Sequence, residues 1–172
     1  MFKMLGILCI VSGSSGLGFL YARELELRLI ELKQLQQMLL QLRGEIRYMH
    51  QPLPDAFWHL SRKAPVLFVD FLTKMAQELQ KRDGQSAEEI WKRNLKKCLI
   101  GLHLDKQEQK DLEKLGSMLG YLDVDMQLNA LDYYLEQLKE SSLRATEVSK
   151  TQKKLYQSMG ILGGAALAVL VF

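Results

Sequence analysis

Hydrophobic positions divide this chain into three regions. The runs from Met4 to Ala22 and from Leu155 to Phe172 contain no Asp, Glu, Lys or Arg. They are 19 and 18 residues long, close to the roughly 20 residues that one helix needs to cross a bilayer. We therefore predict two transmembrane helices, 4–22 and 155–172, on either side of a polar helical body formed by residues 23–154.

The first run also has features of a signal peptide, because Lys3 precedes an apolar stretch. The run is long for a signal sequence, however, and no Ala-x-Ala cleavage site ends it. A helical pattern also continues without a break from Arg23 to Arg28. These features favour an uncleaved anchor.

Basic residues lie at both ends of the polar body, next to the two apolar runs. Only Lys3 lies outside the two runs, whereas the body carries the basic residues next to them: Arg23, Arg28, Arg144, Lys150, Lys153 and Lys154. Because basic residues near membrane helices prefer the cytoplasmic side, we expect the body in the cytoplasm and both termini on the opposite side.

The body is predicted to be all-α, an antiparallel bundle of about six helices flanked by the two membrane helices. Its first helix should continue from the first span to His50, as one helix of about 47 residues. It carries an apolar stripe with heptad spacing, formed by Leu32, Leu35, Leu39, Leu42, Ile46 and Met49. The stripe fits either a core seam or a coiled coil with another subunit, and the helices that follow favour the core.

Prolines and capping residues set the other helix boundaries. Pro52 and Pro54 end the first helix, because proline removes a donor and restricts the residue before it. Ser86-x-x-Glu89 is a capping box, and it follows an Asp83-Gly84 turn. The predicted later helices are 55–62, 65–82, one from Ser86, one from Asp105 that ends near Gly120, and one capped by Asp123.

The last helix loses its apolar stripe beyond Leu138. Its next stripe positions are small or polar: Ser142, Ala145, Ser149 and Gln152. Such a stretch has little to bury, so we predict an exposed stalk that leads into the second span.

Charge and residue chemistry narrow the possible functions. The body holds 22 of the 23 basic residues and all 20 acidic ones, so its charge gives no reason to expect nucleic-acid binding. Cys9 and Cys98 fit a reducing cytoplasm better than a disulfide. The sequence has no phosphate-binding loop, His-Glu-x-x-His motif or nucleophile elbow. We expect no enzyme activity, cofactor, metal or small-molecule substrate. Asp123 and Asp125 are interpreted as capping residues at the start of a helix rather than as a metal or acid–base pair.

Several short motifs follow one another along essentially the full length of the chain: Glu45-Ile46-Arg47-Tyr48, Pro52-Leu53-Pro54-Asp55-Ala56, Gly84-Gln85-Ser86-Ala87-Glu88-Glu89-Ile90-Trp91, Leu115-Gly116-Ser117-Met118-Leu119-Gly120 with Asp123 and Gln127, and Lys153-Lys154-Leu155-Tyr156-Gln157-Ser158-Met159-Gly160. Their order resembles the stage III sporulation protein AB family of endospore-forming bacteria. Ile90 stands where the family pattern has Ala, and Asp125 is an additional acid.

This resemblance implies a role in a secretion-like complex between mother cell and forespore. Members are similar to the inner-membrane platform protein of type II secretion systems, whose cytosolic domains are helical bundles. By that similarity the body would face the mother-cell cytoplasm and couple a cytosolic secretion-type ATPase to the channel subunits. A small membrane-tethered adaptor or a transporter subunit unrelated to sporulation is the alternative. Two short spans without an ionisable group make a poor transport pathway.

Two corners of the bundle are candidate partner-binding sites: Pro52, Pro54 and Asp55, and Gly116, Gly120 and Asp123. Ordinary helix connections are the favoured alternative at both corners. In the membrane, small residues let helices approach closely. Both spans are expected to contact membrane lipid, and the spacing Gly160-x-x-x-Gly164 predicts that the second span packs on the first. A minimal tail anchor is the alternative.

Overall fold

A computed structural model gives the fold of the chain. It describes the backbone of residues 2–49, 52–81, 83–120 and 123–171, and within these ranges the side chains of residues 23–152 and of Leu155. The described residues form six α-helices and no strand: α1 Phe2–Met49, α2 Leu53–Ser61, α3 Val66–Lys81, α4 Ala87–Leu99, α5 Lys106–Leu119 and α6 Val124–Val171. The all-α prediction and the number of helices are confirmed.

The predicted helix boundaries are correct to within about two residues. α1 is a single helix of 48 residues, as the uninterrupted pattern indicated. At the start of α4, Glu89 N–H donates to Ser86 Oγ at 3.2 Å, and Ser86 N–H donates to the Glu89 carboxylate at 3.1 Å. Gly84, in the preceding turn, has a φ of +84°, which favours glycine.

Contacts divide the chain into two compact units. One consists of Ile30–Ser142, and the other combines Met1–Leu29 with Leu143–Phe172. Helices α1 and α6 each contribute residues to both units. The predicted domain limits 4–22, 23–154 and 155–172 concern the membrane boundary, which this division does not test.

The first unit is built around the stripe of α1. Leu32, Leu35, Leu39, Leu42 and Ile46 are at most 2% exposed, so the stripe is a core seam of the bundle. The prediction that the stripe extends to Met49 is wrong. Met49 lies at the end of the helix and is 63% exposed.

An aromatic cluster joins α2, α3 and α4. The ring centroid of Trp91 lies 6.2 Å from that of Phe57 and 5.0 Å from that of Phe71, the latter in an edge-to-face arrangement. All three side chains are buried. Burial of large aromatic surfaces is a dominant source of stability in a core of this size, so this cluster fixes how the three helices pack.

The prediction that the last helix forms an exposed stalk beyond Leu138 is wrong. Ala145 is 3% exposed and Leu25 is 9% exposed, and Ser149 and Gln152 are half-buried. Ser142, the last residue of the first unit, is half-buried as well. A stripe of small side chains can still be covered, because small residues allow neighbouring helices to approach closely. The stripe positions beyond Leu138 are therefore covered at least in part, while Leu143 and Val148 on other faces of α6 are exposed.

No helix in the described part of the chain has a stretch long and apolar enough to cross a membrane. The predicted spans 4–22 and 155–172 fall, except for Leu155, on residues whose side chains lie outside that part. The same holds for Gly160 and Gly164.

Candidate partner-binding surface

The turn between α1 and α2 is organised by Pro52. The Pro52 carbonyl accepts hydrogen bonds from the N–H groups of Asp55 and Ala56, both at 3.0 Å, and this residue is the N-cap of α2. Pro54 lies in the first turn of α2, where a helix needs no N–H donor. Pro52 and Asp55 are exposed and Pro54 is half-buried. His50 and Gln51 lie outside the described residues.

A groove lies between the C-terminal end of α1 and α2. It has a volume of about 310 Å³ and is lined by Gln41, Gly44, Glu45, Tyr48, Met49, Leu60 and Lys63. We call it the α1–α2 groove. Tyr48 is 73% exposed and Met49 is 63% exposed, and nothing lies within 4 Å of a Cβ atom placed on Gly44. The groove is therefore open, with an aromatic and a flexible thioether side chain at its edge.

Trp58 is an exposed aromatic side chain near the Pro52–Asp55 corner, although it does not line the groove. It lies on α2, is 44% exposed, and follows Asp55 by less than one helical turn. Aromatic residues and methionine are enriched in protein–protein interfaces relative to the rest of a protein surface. Tyr48 and Met49 thus give the α1–α2 groove the composition of a docking surface, and Trp58 lies close in sequence to the Pro52–Asp55 corner.

A largely buried carboxylate forms the polar part of the groove. The Glu45 side chain is 12% exposed, and its oxygens lie 3.8 Å from His59 Nδ1 and 3.9 Å from Lys63 Nζ. Both distances exceed a normal hydrogen bond. Glu45 Oε2 is buried and accepts no hydrogen bond from a described residue. A donor from a bound partner would satisfy this oxygen, whose burial without a partner costs free energy.

The second predicted corner is made of three residues with different surroundings. Gly116 is buried, and a Cβ atom placed on it would lie 2.0 Å from Trp91 Cδ1. Gly120 is exposed at the C-cap of α5. Asp123 is exposed, and its carboxylate accepts the Asp125 N–H at 2.8 Å, which confirms the predicted cap of α6. Tyr121 and Leu122 lie outside the described residues.

The structure therefore distinguishes the two predicted corners. Pro52 follows Met49, a residue at the edge of the α1–α2 groove, by three residues, whereas Gly116 faces the core. Within the described residues, no group of three His, Cys, Asp or Glu side chains could hold a metal ion. Sequence reasoning did not assign Glu45, Tyr48 or Met49 to a site. The signal was present, because Tyr48 and Glu45 fall outside the heptad positions of α1.

Comparison with known proteins agrees along the whole chain. The family model described as Stage III sporulation protein AB (spore_III_AB) matches residues 3–172. The curated Stage III sporulation protein AB of Bacillus subtilis (strain 168) is 29% identical over 171 residues, which are 99% of this chain and 99% of that protein.

A solved structure supports the same assignment at the level of the fold. The structure of Stage III sporulation protein AB (SpoIIIAB) is 27% identical to this chain and superposes with a TM-score of 0.65. The match covers 72% of this chain and 97% of the solved one. The chain belongs to the stage III sporulation protein AB family.

Proposed function

We propose that this protein is a membrane-anchored, non-enzymatic scaffold of a secretion-like channel complex between mother cell and forespore. Its helical body would couple a cytosolic secretion-type ATPase to the membrane subunits of the channel. Membership of a sporulation family supports the setting. The observation that carries the docking role is the α1–α2 groove, where Tyr48 and Met49 are exposed beside the largely buried carboxylate of Glu45.

Anchoring rests on the two charge-free runs, 4–22 and 155–172. The basic residues next to them, on the body side, favour a body in the mother-cell cytoplasm and a chain that crosses the membrane twice. This orientation can be tested with a membrane-impermeant maleimide on sporulating cells. Gln80, an exposed residue of α3, is a suitable position for a single cysteine in a Cys9→Ser/Cys98→Ala background. We expect labelling of Gln80→Cys only after permeabilisation, and labelling in intact cells would contradict the orientation.

The groove defines the chemistry of the ATPase segment that it binds. An apolar side chain would fill the space above Gly44 and contact Tyr48 and Met49. A backbone N–H, or a Lys or Arg side chain, would donate to Glu45 Oε2. A charge-assisted hydrogen bond of this kind is stronger than a neutral one. We therefore expect the ATPase segment to combine an apolar residue with a basic neighbour.

The test is binding of the partner ATPase to the full chain in lipid nanodiscs, measured by biolayer interferometry. Gly44→Leu would place an apolar side chain in the groove, and its Cβ would meet nothing within 4 Å. We expect Gly44→Leu and Tyr48→Ala each to weaken binding about tenfold or more, as truncation of a central interface residue does.

Tyr133→Ala is the matched control. Tyr133 lies on α6 and is 62% exposed, similar to Tyr48, but it does not line the groove. We expect its substitution to leave the affinity unchanged. Equal losses for Tyr48→Ala and Tyr133→Ala would contradict docking at the groove, and no binding by the unmodified chain would contradict the coupling role.

A further inference from the structure

Three aliphatic side chains are exposed where α3 begins and α4 ends. Cys98 Sγ lies 3.9 Å from the carbonyl oxygen of Leu67, so these two helix ends are neighbours. Val66, Leu67 and Ile100 lie within two residues of that contact and are 91%, 43% and 86% exposed. An exposed apolar patch of this kind indicates an interaction site.

Basic side chains accompany these aliphatic residues. Lys96 and Lys97 are exposed in the last turn of α4, and Arg62 is exposed four residues before Val66. None of the three forms an ion pair with a described residue. We call Val66, Leu67, Ile100, Lys96 and Lys97 the bundle-end patch. Its positive charge is available for an external partner.

The acidic groups near the bundle-end patch are already engaged. Asp70 forms an ion pair with Lys74. Glu31 is buried, and its carboxylate accepts the His103 backbone N–H at 2.6 Å while it also contacts His103 Nδ1 at 2.7 Å. Among the described residues at this end of the body, Lys96, Lys97 and Arg62 therefore keep their positive charge without an ion pair.

Along the chain, this end of the body is linked to the first charge-free run by a short segment of α1. His103 follows Ile100 by three residues and is held by Glu31 of α1. Glu31 in turn follows Ala22, the last residue of that run, by nine residues. Among the parts of the body, the end that contacts Glu31 is therefore close along the chain to the predicted membrane boundary.

We propose that the bundle-end patch inserts into the headgroup region of an anionic membrane. This inference rests on the proposed anchoring and adds a second, peripheral contact between the body and the bilayer. Aliphatic side chains that enter the interface, with lysines beside them that bind lipid phosphates, are typical of such contacts. Protein interfaces are instead depleted in lysine and enriched in aromatic residues. The bundle-end patch differs in this respect from the α1–α2 groove.

The test measures how close the bundle-end patch lies to lipid in the full chain. The cysteine is placed by Gly101→Cys in a Cys9→Ser/Cys98→Ala background, because a Cβ on Gly101 meets nothing within 4 Å and Ile100 is kept. The cysteine carries an environment-sensitive fluorophore, and the chain is reconstituted into vesicles with a spin-labelled lipid quencher. The vesicles contain phosphatidylcholine alone or with phosphatidylglycerol. Gln80→Cys, near the other end of α3, is the reference position.

We expect about twofold or more stronger quenching at residue 101 than at residue 80 in anionic vesicles, and less in neutral vesicles or high salt. Lys96→Gln/Lys97→Gln and Val66→Ser/Ile100→Ser should each reduce it. The charge-matched control Lys81→Gln/Lys110→Gln should not. Equal quenching at both positions, or no effect of the two patch variants, would overturn the inference.

An alkaline wash of the same vesicles separates this inference from the proposed anchoring. A chain that stays in the vesicles but shows no preferential quenching at residue 101 overturns only the bundle-end contact. A chain that is released by alkali contradicts the anchors, and quenching at residue 101 before the wash would still support the bundle-end contact.

Discussion

The Trp91 ring occupies the space in which a side chain at Gly116 would lie. A Cβ atom on Gly116 would be 2.0 Å from Cδ1 and 2.2 Å from Cγ of the ring. The ring cannot move away easily, because it is 1% exposed and its Nε1–H donates to the Leu112 carbonyl at 3.0 Å. This contact requires glycine at residue 116 and sets the spacing between α4 and α5.

Gly116→Ala should therefore destabilise the fold. Overpacking of a tight core contact costs about 1–3 kcal/mol, and here the contact is with a ring fixed on its other side. We expect a loss of about 2 kcal/mol in the free energy of unfolding, measured by denaturant titration of the full chain in detergent with tryptophan fluorescence.

Gly44→Ala provides the comparison within a helix. A Cβ at Gly44 meets nothing within 4 Å, and alanine is favoured over glycine in a helix interior by about 1 kcal/mol. This substitution should raise the free energy of unfolding. Similar destabilisation by both substitutions would show that the Trp91 contact is not the cause.

Local signals in the sequence were sufficient for most of the fold. Pro52, the Ser86–Glu89 capping box and the apolar stripe of α1 each act over a few residues. Helix boundaries and the buried face follow directly from such short-range preferences. The bundle prediction relied on these signals, and its helices lie where they were expected.

Features that depend on distant residues could not be predicted in this way. Gly116 belongs to the core because of Trp91, which is 25 residues away, and nothing in its own neighbourhood indicates that contact. Glu31 and His103 are 72 residues apart. Ala145 was assigned to an exposed stalk because small side chains give a weak apolar signal, although such residues are easily covered by a neighbouring helix.

Glu31 should be important for holding the α4–α5 connection. Glu31 is 4% exposed. Its carboxylate accepts a hydrogen bond from the His103 backbone N–H and also contacts Nδ1 of the His103 ring. Glu31→Ala leaves a backbone donor without its acceptor, which costs about 1–3 kcal/mol. His103→Ala keeps the backbone bond and should cost less. A double-mutant cycle from unfolding titrations measures the ring contribution, and equal losses for the two single variants would contradict this division.

Glu78 should make stability depend on acid pH. Partial burial acts to raise the pKa of this carboxyl, but hydrogen bonds from Arg93 and Asn94 outweigh burial and hold the pKa below its ordinary value of 4.5. A pKa that is lower in the folded state gives stability that is complete above the unfolded-state pKa and is lost as pH falls through the folded-state pKa.

Glu78→Gln removes this charge while retaining the shape of the side chain. We expect it to lower the free energy of unfolding at pH 7 by about 1 kcal/mol, with a difference from the unmodified chain that shrinks below about pH 4. Glu88→Gln is the control, since Glu88 pairs with Lys92 on an exposed helix face, where ion pairs contribute little. A difference that persists unchanged at pH 3 would argue against the carboxylate as its origin.

Cys98 should react slowly with thiol reagents despite being partly accessible. Burial raises the pKa of its thiol from 9.0 to about 11, with smaller contributions from the charges of Asp70 and Glu31. Only the thiolate is nucleophilic, so at pH 8 the reactive fraction should be about 100-fold lower than for an unperturbed thiol.

In a Cys9→Ser background, the rate of maleimide labelling of Cys98 should rise about tenfold per pH unit between pH 8 and pH 10. Gln80→Cys in the Cys9→Ser/Cys98→Ala background should react faster at pH 8 and level off near pH 9. If Cys98 also levelled off near pH 9, its burial between α3 and α4 would not control its reactivity.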